Sequence, residues 1–285
     1  MIETVQATEA LRRQVSAWRA EGLSVGFVPT MGNLHEGHLA LVRDALRQSD
    51  RVVVSIFVNP MQFGANEDLD AYPRTLAEDQ LKLEAVGAHL LFHPSVEAVY
   101  PEGEAACSAV LVPESLTDIL CGASRPGHFR GVATVVAKLF NMVQPDCAVF
   151  GEKDLQQLRV IERMCRDLDF PVRIIGSPTL RETDGLARSS RNAYLTESER
   201  AVAPALHQAL QGVAQAVAED RGRIDEAVAS AVVDLEARGF RVDYLEVRDR
   251  LTLALPEPSA DRPLAVLGAA HLGRARLIDN VAVPA

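Results

Sequence analysis

Two imidazoles flank a glycine in the stretch FVPTMGNLHEGHLALVRDA, with His35 and His38 at positions i and i+3. Three kinds of chemistry suit that pattern. The plainest is structural, one imidazole capping a helix and the other packing in the loop before it. The second is metal binding, but the spacing is not the i,i+4 of a metalloprotease helix and no third ligand is evident. The third is phosphate binding. Gly37 lets the main chain approach a ligand closely, and a helix N-terminus offers free N–H groups with partial positive charge. Two imidazoles placed there can donate hydrogen bonds to phosphate oxygens as charge builds during transfer.

Three further segments carry polar side chains of the same kind. SIFVNPMQFGANEDLDAYPRT (55–75) leaves a β-branched run with Asn59 and Gln62 just beyond it. Read alone, these are solvated loop amides. GHFRGVATVVAKLFNMVQPDCAVFGEKDLQQL (127–158) sets Gly151, Glu152, Lys153 and Asp154 after a short apolar run at 147–150, with Gln157 close behind. Lys153 and Asp154 make a surface salt bridge in the plain reading. In the sharper one they neutralise a triphosphate, Asp154 holding Mg²⁺ and Lys153 acting as a point charge. DGLARSSRNAYL (184–195) adds Ser189, Ser190 and Arg191, two hydroxyls and a guanidinium suited to phosphate.

The elements that must position these groups follow from apolar patterning. The run from Ser24 to Val28 reads as a buried parallel strand, and Leu39, Leu41, Val42 and Leu46 form the stripe of a helix starting near Gly37. His35 and His38 therefore fall where a strand hands over to a helix, the place where open α/β sheets bind ligands. Strand-like and helix-like segments keep alternating through VRIIGSP (172–178), which predicts a doubly wound parallel sheet of Rossmann-like α/β class over residues 1–184. Beyond that the texture changes. TESERAVAPALHQALQGVAQAVAED opens with a Thr196–Glu199 capping box and reads as one long helix, RIDEAVASAVVDLEARG as a second closed by Gly239. Three strand-like runs end the chain, so residues 185–285 read as a smaller α+β domain, with Gly185 a candidate hinge.

Composition narrows the class. The 285 residues are 48% hydrophobic, which excludes a mostly disordered chain, and a net charge of -10 argues against nucleic acid as a partner. Cys107, Cys121, Cys147 and Cys165 form no CxxC pair, so reduced thiols in the cytoplasm are expected rather than disulfides or zinc. The opening MIETVQATEALRRQ lacks the layout of a signal peptide, and no apolar run approaches the ~20 residues of a membrane span.

The HEGH stretch resembles the HxGH signature of the adenylyl-transferring Rossmann-like superfamily. Taken in order, the four segments between residues 27 and 195 resemble the pantothenate synthetase family, and the C-terminal portion fits it in size. The resemblance implies an AMP-forming ligase that joins (R)-pantoate to β-alanine with ATP and Mg²⁺ through a pantoyl adenylate, working as a homodimer. Carried over by position, Pro29, Thr30, Met31, Gly32, Asn33 and Leu34 belong to the ATP-binding segment with His35, Glu36, Gly37 and His38, and His38 stands at the proton-donor position. Gly151, Glu152, Lys153 and Asp154, then Arg188, Ser189, Ser190 and Arg191, fall on further ATP-binding stretches, with Leu180 beside adenine. Gln62 and Gln157 fall on the pantoate-binding glutamines, Gln62 also near β-alanine, and Asn59 belongs to the same pocket. Two positions depart from the family's pattern: Arg188 stands where Met or Leu is usual, and Asn33 where Ala is common.

That reaction makes sense of the residue types. Adenylation turns a carboxylate oxygen into a leaving group, and negative charge then gathers on the departing diphosphate. His35, His38, Lys153 and the serine loop would stabilise it without a protein nucleophile. Phe57, Val132, Val135 and Val136 could accept pantoate's methyl groups, although the valines also suit an ordinary core. Two alternatives stay open. A nucleotidyltransferase of the same superfamily would need basic residues for its acceptor where this chain offers neutral amides. A non-catalytic nucleotide-binding protein would have had no need to keep His38, Lys153, Asp154 and the serine loop.

Overall fold

In a computed structural model, residues 2–64, 69, 72–257 and 261–284 are described. Of the 55–75 segment, residues 65–68, 70 and 71 lie outside them. In chain order the first half holds β1 (Glu3–Val5), α1 (Thr8–Ala20), β2 (Val25–Thr30), α2 (Glu36–Gln48), β3 (Arg51–Ile56), α3 (Leu76–Val86) and β4 (Leu90–Phe92). Three short helices follow, α4 (Val96–Val99), α5 (Glu114–Thr117) and α6 (Cys121–Ser124), then α7 (His128–Val143), β5 (Cys147–Gly151), α8 (Leu155–Asp167) and β6 (Arg173–Ser177). The six strands form one parallel sheet in the order β1-β4-β3-β2-β5-β6.

Side-chain alternation along the strands splits this sheet's core in two. On one face Val25, Phe27 and Val53 pack with Leu11, Val15 and Trp18 of α1 and with α7 and α8. On the other, Val28, Val52 and Val54 pack with Leu39, Val42 and Ala45 of α2 and Leu83 of α3. Helices on both faces are the doubly wound arrangement the sequence predicts. Strand β1 was not expected. Three residues are too few to display alternation, and its place is set by pairing, Glu3 with Leu90 through Val5 with Phe92.

The second unit holds α9 (Glu197–Val202), α10 (Ala205–Glu219), α11 (Ile224–Ala237), β7 (Arg241–Asp249), β8 (Leu264–Leu272) and β9 (Ala275–Ala282), the strands forming an antiparallel sheet in sequence order. The Thr196–Glu199 capping box forms, Thr196 N–H donating to the Glu199 carboxylate at 2.8 Å and Glu199 N–H to the Thr196 hydroxyl at 3.3 Å. The single long helix expected from 196 onward is instead two. Pro204 lacks an N–H and clashes with the preceding turn, and the chain restarts as α10 at Ala205. Leu206, Leu210, Val213 and Val217 of α10 then close over Val266, Ala270 and Leu277 of the sheet.

Candidate active site

Strand β2 pairs with β3 as far as Thr30 and Ile56, but with β5 only at Gly26–Cys147 and Phe27–Ala148. Past Phe27 the two central strands part, and Pro29 has no N–H to leave unpaired there. A cleft opens at this switch point, on the C-terminal edge of the sheet. Pro29, Thr30 and Met31 from the end of β2 line it, with His35, Gly37 and His38 from the start of α2.

The two histidines are both cap and cleft wall. His35 is the N-cap of α2, its Nδ1 accepting from Gly37 N–H at 3.1 Å, while His38 Nδ1 accepts more weakly from His35 N–H at 3.4 Å. Those bonds put a hydrogen on each Nε2. The rings lie against each other with centroids 4.1 Å apart, tilted by 34°. Burial, then the neighbouring Lys153 and Arg188 charges, lowers the His35 pKa to about 4. Burial, then His35 itself, lowers that of His38 to about 3. Both are therefore neutral at pH 7, hydrogen-bond donors rather than standing cations. Gly37 is needed by the turn itself, since a Cβ there would lie 2.8 Å from His35 Cε1.

Not every residue of the motif faces the cleft. Gly32, at φ +82, and Asn33, at φ 51, bend the chain in the left-handed region, and Leu34 is buried in the core beneath α2. Asn tolerates that conformation better than Ala does, which gives the Asn33 departure a local reason. Glu36 is exposed and pairs with Arg43 at 3.1 Å.

The amide group is divided between orientation and access. Asn59, Gln62 and Gln157 all border the cleft, as do Phe57, Val132, Val135 and Val136. Asn59, however, is 1% exposed and spends its amide inside the protein, accepting from the Tyr100 hydroxyl at 2.8 Å and donating to Gly131 O at 3.1 Å and Gln62 Oε1 at 3.2 Å. It orients Gln62 rather than offering a free group. Of the adjacent pair on α8, Gln156 is fully engaged with the Leu116 and Ile119 carbonyls and Cys121 N–H, leaving Gln157 to the cleft.

The phosphate-type residues come from two places. Gly151, Lys153 and Asp154 line the cleft beyond β5, with Lys153 Nζ 3.6 Å from the Asp154 carboxylate. Glu152 turns away to pair with Arg250 at 3.2 Å. Beyond β6 a small hairpin, bridged between Arg181 and Ala187, presents Leu180, Arg188, Ser189, Ser190 and Arg191 to the cleft. Arg188 pairs with Glu182 at 3.0 Å, and its buried Nε has no hydrogen-bond partner among the described residues. Gly185, at φ +95, is the hairpin's turn and packs on His207, where a Cβ would come within 2.9 Å. Arg181 donates to Gly185 O at 3.1 Å and to Asp279 of β9 at 2.6 Å, which ties the hairpin to the second unit.

With that geometry in place, a family model for pantoate-beta-alanine ligase matches residues 3–282. The chain belongs to the pantoate-beta-alanine ligase family. It is 58% identical over 280 residues to a pantothenate synthetase of Pseudomonas entomophila, covering 98% of this chain and 97% of that one. A pantothenate synthetase of Shewanella amazonensis is 58% identical over 278 residues, 98% of each chain. Among solved structures, a pantothenate synthetase from Thermus thermophilus superposes with a TM-score of 0.90 at 48% identity, covering 100% of both chains. A Francisella tularensis pantoate-beta-alanine ligase complexed with beta-gamma ATP and beta-alanine gives 0.81 at 31% identity over 99% of this chain and 98% of that one.

Sequence reading missed residues whose hydrogen bonds hold the cleft's loops in place. Asp79, 0% exposed, accepts from Asn33 N–H and Leu34 N–H at 2.8 Å each, and Lys82 donates to Leu34 O at 2.8 Å. The signal was there: Leu76, Asp79 and Leu83 share one helix face, so a carboxylate sits on the apolar stripe of α3. His128 Nδ1 lies 2.8 Å from Gln62 O, and its Nε2 lies 3.1 Å from Arg125. Nothing in the local sequence marks either residue for this role.

Proposed function

We propose that the cleft activates (R)-pantoate with ATP as a pantoyl adenylate and then passes the pantoyl group to β-alanine. A pantoate carboxylate oxygen attacks the α-phosphorus, the bond from that phosphorus to the bridging oxygen breaks, and diphosphate leaves. The β-alanine amine then attacks the acyl carbon, AMP leaves with the carboxylate oxygen, and the amine's proton is lost. The observation that supports this reading is convergence: His35, His38, Lys153 and Ser189–Arg191 meet Gln62 and Gln157 in one cleft at the sheet's switch point. The relative from Francisella tularensis, complexed with beta-gamma ATP and beta-alanine, is consistent with it.

On this reading each residue has a role that its placement supports. His35 and His38, neutral and each with an Nε2–H, donate hydrogen bonds to phosphate oxygens, and His38 strengthens its bond as charge builds. Lys153, Arg188 and Arg191 add fixed positive charge, and Ser189 and Ser190 add hydroxyl donors. Asp154 lines the cleft, and Mg²⁺ takes one or two carboxylates together with substrate phosphates and water. Asp154 would hold it, and the ion would neutralise phosphate charge. Gln62, aimed by Asn59, and Gln157 bind pantoate's hydroxyl and carboxylate, with Phe57, Val132, Val135 and Val136 around its methyl groups.

On the same reading the enzyme is a cytoplasmic homodimer, and residues 185–285 close over ATP with the serine hairpin. None of the described helices is long and apolar enough to cross a membrane. Pantoate labelled with heavy oxygen in its carboxylate tests the route. One label should pass into AMP, and diphosphate should exchange into ATP with pantoate and Mg²⁺ but without β-alanine. Label in inorganic phosphate, with ADP as the nucleotide product, would overturn the adenylate mechanism.

A further inference from the structure

Two adjacent residues on the last strand reach both phosphate-type segments of the cleft. Side chains alternate along β9, so Asp279 and Asn280 point to opposite sides of it. Asp279 is 5% exposed. Its carboxylate accepts from Arg181 at 2.6 and 3.0 Å, with His207 Nδ1 at 3.2 Å. Arg181 also donates to Asn280 O at 3.3 Å, so the base of the serine hairpin is pinned to β9. Asn280 faces the other way and donates to Glu152 O at 2.8 Å and Lys153 O at 2.9 Å. A buried carboxylate and an amide that gives both its hydrogens to a single turn are costly placements in an apolar strand. Fold stability alone would be served as well by apolar residues.

We propose that Asp279 and Asn280 are positioning residues. Together they set the separation between the Lys153 turn and the Ser189–Arg191 hairpin, and so the grip on the departing diphosphate. This rests on the reading above that those two segments hold the outer phosphates. Neither side chain needs to touch substrate. Asn280 acts through the main chain that aims Lys153, and Asp279 through Arg181.

The test is pantoate-dependent ATP–diphosphate exchange by the full chain, with Asn280→Ala, Lys153→Ala and the double variant, alongside pantoate affinity by calorimetry and thermal melting. A misplacement of ~1 Å costs about 10²-fold in rate, so Asn280→Ala should lower exchange by roughly 10- to 100-fold with pantoate affinity unchanged. Because Asn280 acts through Lys153, the double variant should be little worse than Lys153→Ala alone. Asp279→Asn, which keeps the side chain's shape, guards against loss of folding and should also slow exchange without weakening pantoate binding. Full exchange rates with only a lowered melting temperature would overturn the proposal, and so would additive losses in the double variant. Lys153→Ala with normal exchange would instead overturn the phosphate reading on which the proposal stands.

Discussion

The histidine turn and the serine hairpin reach one cleft by opposite means. The turn is held from within the first unit: His35 caps its own helix, His38 closes the box, and Asp79 of α3 braces the Asn33 and Leu34 N–H groups. The hairpin's own bridge, Arg181 to Ala187, fixes its shape but not its place. Its place comes from Arg181 and Asp279, 98 residues apart, and the Lys153 turn is held by Asn280 from 127 residues away. The turn's geometry does not depend on the second unit, whereas the hairpin's place is set by a strand of that unit. The division suits a reaction in which the attacked phosphorus must stay put while the departing phosphates are gripped and released.

The largest effect should come from breaking the local device. His38→Ala is expected to lower kcat for adenylate formation about a hundredfold to a thousandfold, ~3–4 kcal/mol of barrier, while ATP binding weakens far less. The cap it would lose is the long 3.4 Å bond to His35 N–H, too weak to account for such a fall through stability. Single-turnover measurement of adenylate formation decides it. Near-normal turnover would leave His38 with capping alone.

Asp79→Asn should come next. The substitution keeps the shape but turns an amide N–H₂ toward one of two N–H donors, one buried and one half-buried, now facing a carboxylate at 2.8 Å. One orphaned donor costs about 1–3 kcal/mol, read as a lower urea midpoint, with a raised KM for ATP because the histidine turn loses its outer support. Unchanged stability would mean that the turn is self-sufficient and α3 incidental.

This contrast also explains what could be read from the sequence. His35, Gly37, His38, Lys153 and Ser189–Arg191 were legible because residue type and short spacing carry their chemistry, and the parallel sheet because its strands are continuous apolar runs. Asp79 was legible only as a fault in the stripe of α3. The break at Pro204 was written in the sequence and lost beneath the alanine-rich pattern on either side. Strand β1, and the Asn280 link to the Lys153 turn, exist only once distant segments meet. No local propensity encodes them. The same holds for Asn59, whose amide looked available and is consumed by Tyr100 and Gly131.

Gln62 and Gln157 sharpen the comparison on the substrate side. Gln62 is pre-aimed by Asn59 at 3.2 Å and by the His128 contact to its carbonyl at 2.8 Å, while Gln157 stands on the rigid α8. Replacing either with Ala should raise KM for pantoate by the equivalent of about 1–3 kcal/mol and leave ATP affinity close to wild type. Titration of each variant with the two ligands separately is the check. Collapse of ATP binding with pantoate affinity intact would reverse the pocket assignment.

The smallest effect tests the histidine turn through its protons. His35 and His38 have native pKa values of about 4 and about 3, below the 6.5 expected when unfolded. The unfolded chain therefore binds protons more readily, so stability is fully present above pH 6.5 and is lost as pH falls from there through the native values. Between pH 7.5 and 6.0 a fully neutral native histidine should cost about 0.8 kcal/mol, and less for His35, whose ring keeps more contact with water. Urea unfolding at the two pH values should show that loss in the wild type and a smaller one in His35→Asn. Asn is itself a good N-cap and does not titrate, so the variant keeps the local device while removing its proton site. An equal pH slope in both chains would mean that the capped imidazole already titrates in the folded state as it does in water. The neutral-donor account of His35 would then fail, while the hairpin's remote anchoring would stand.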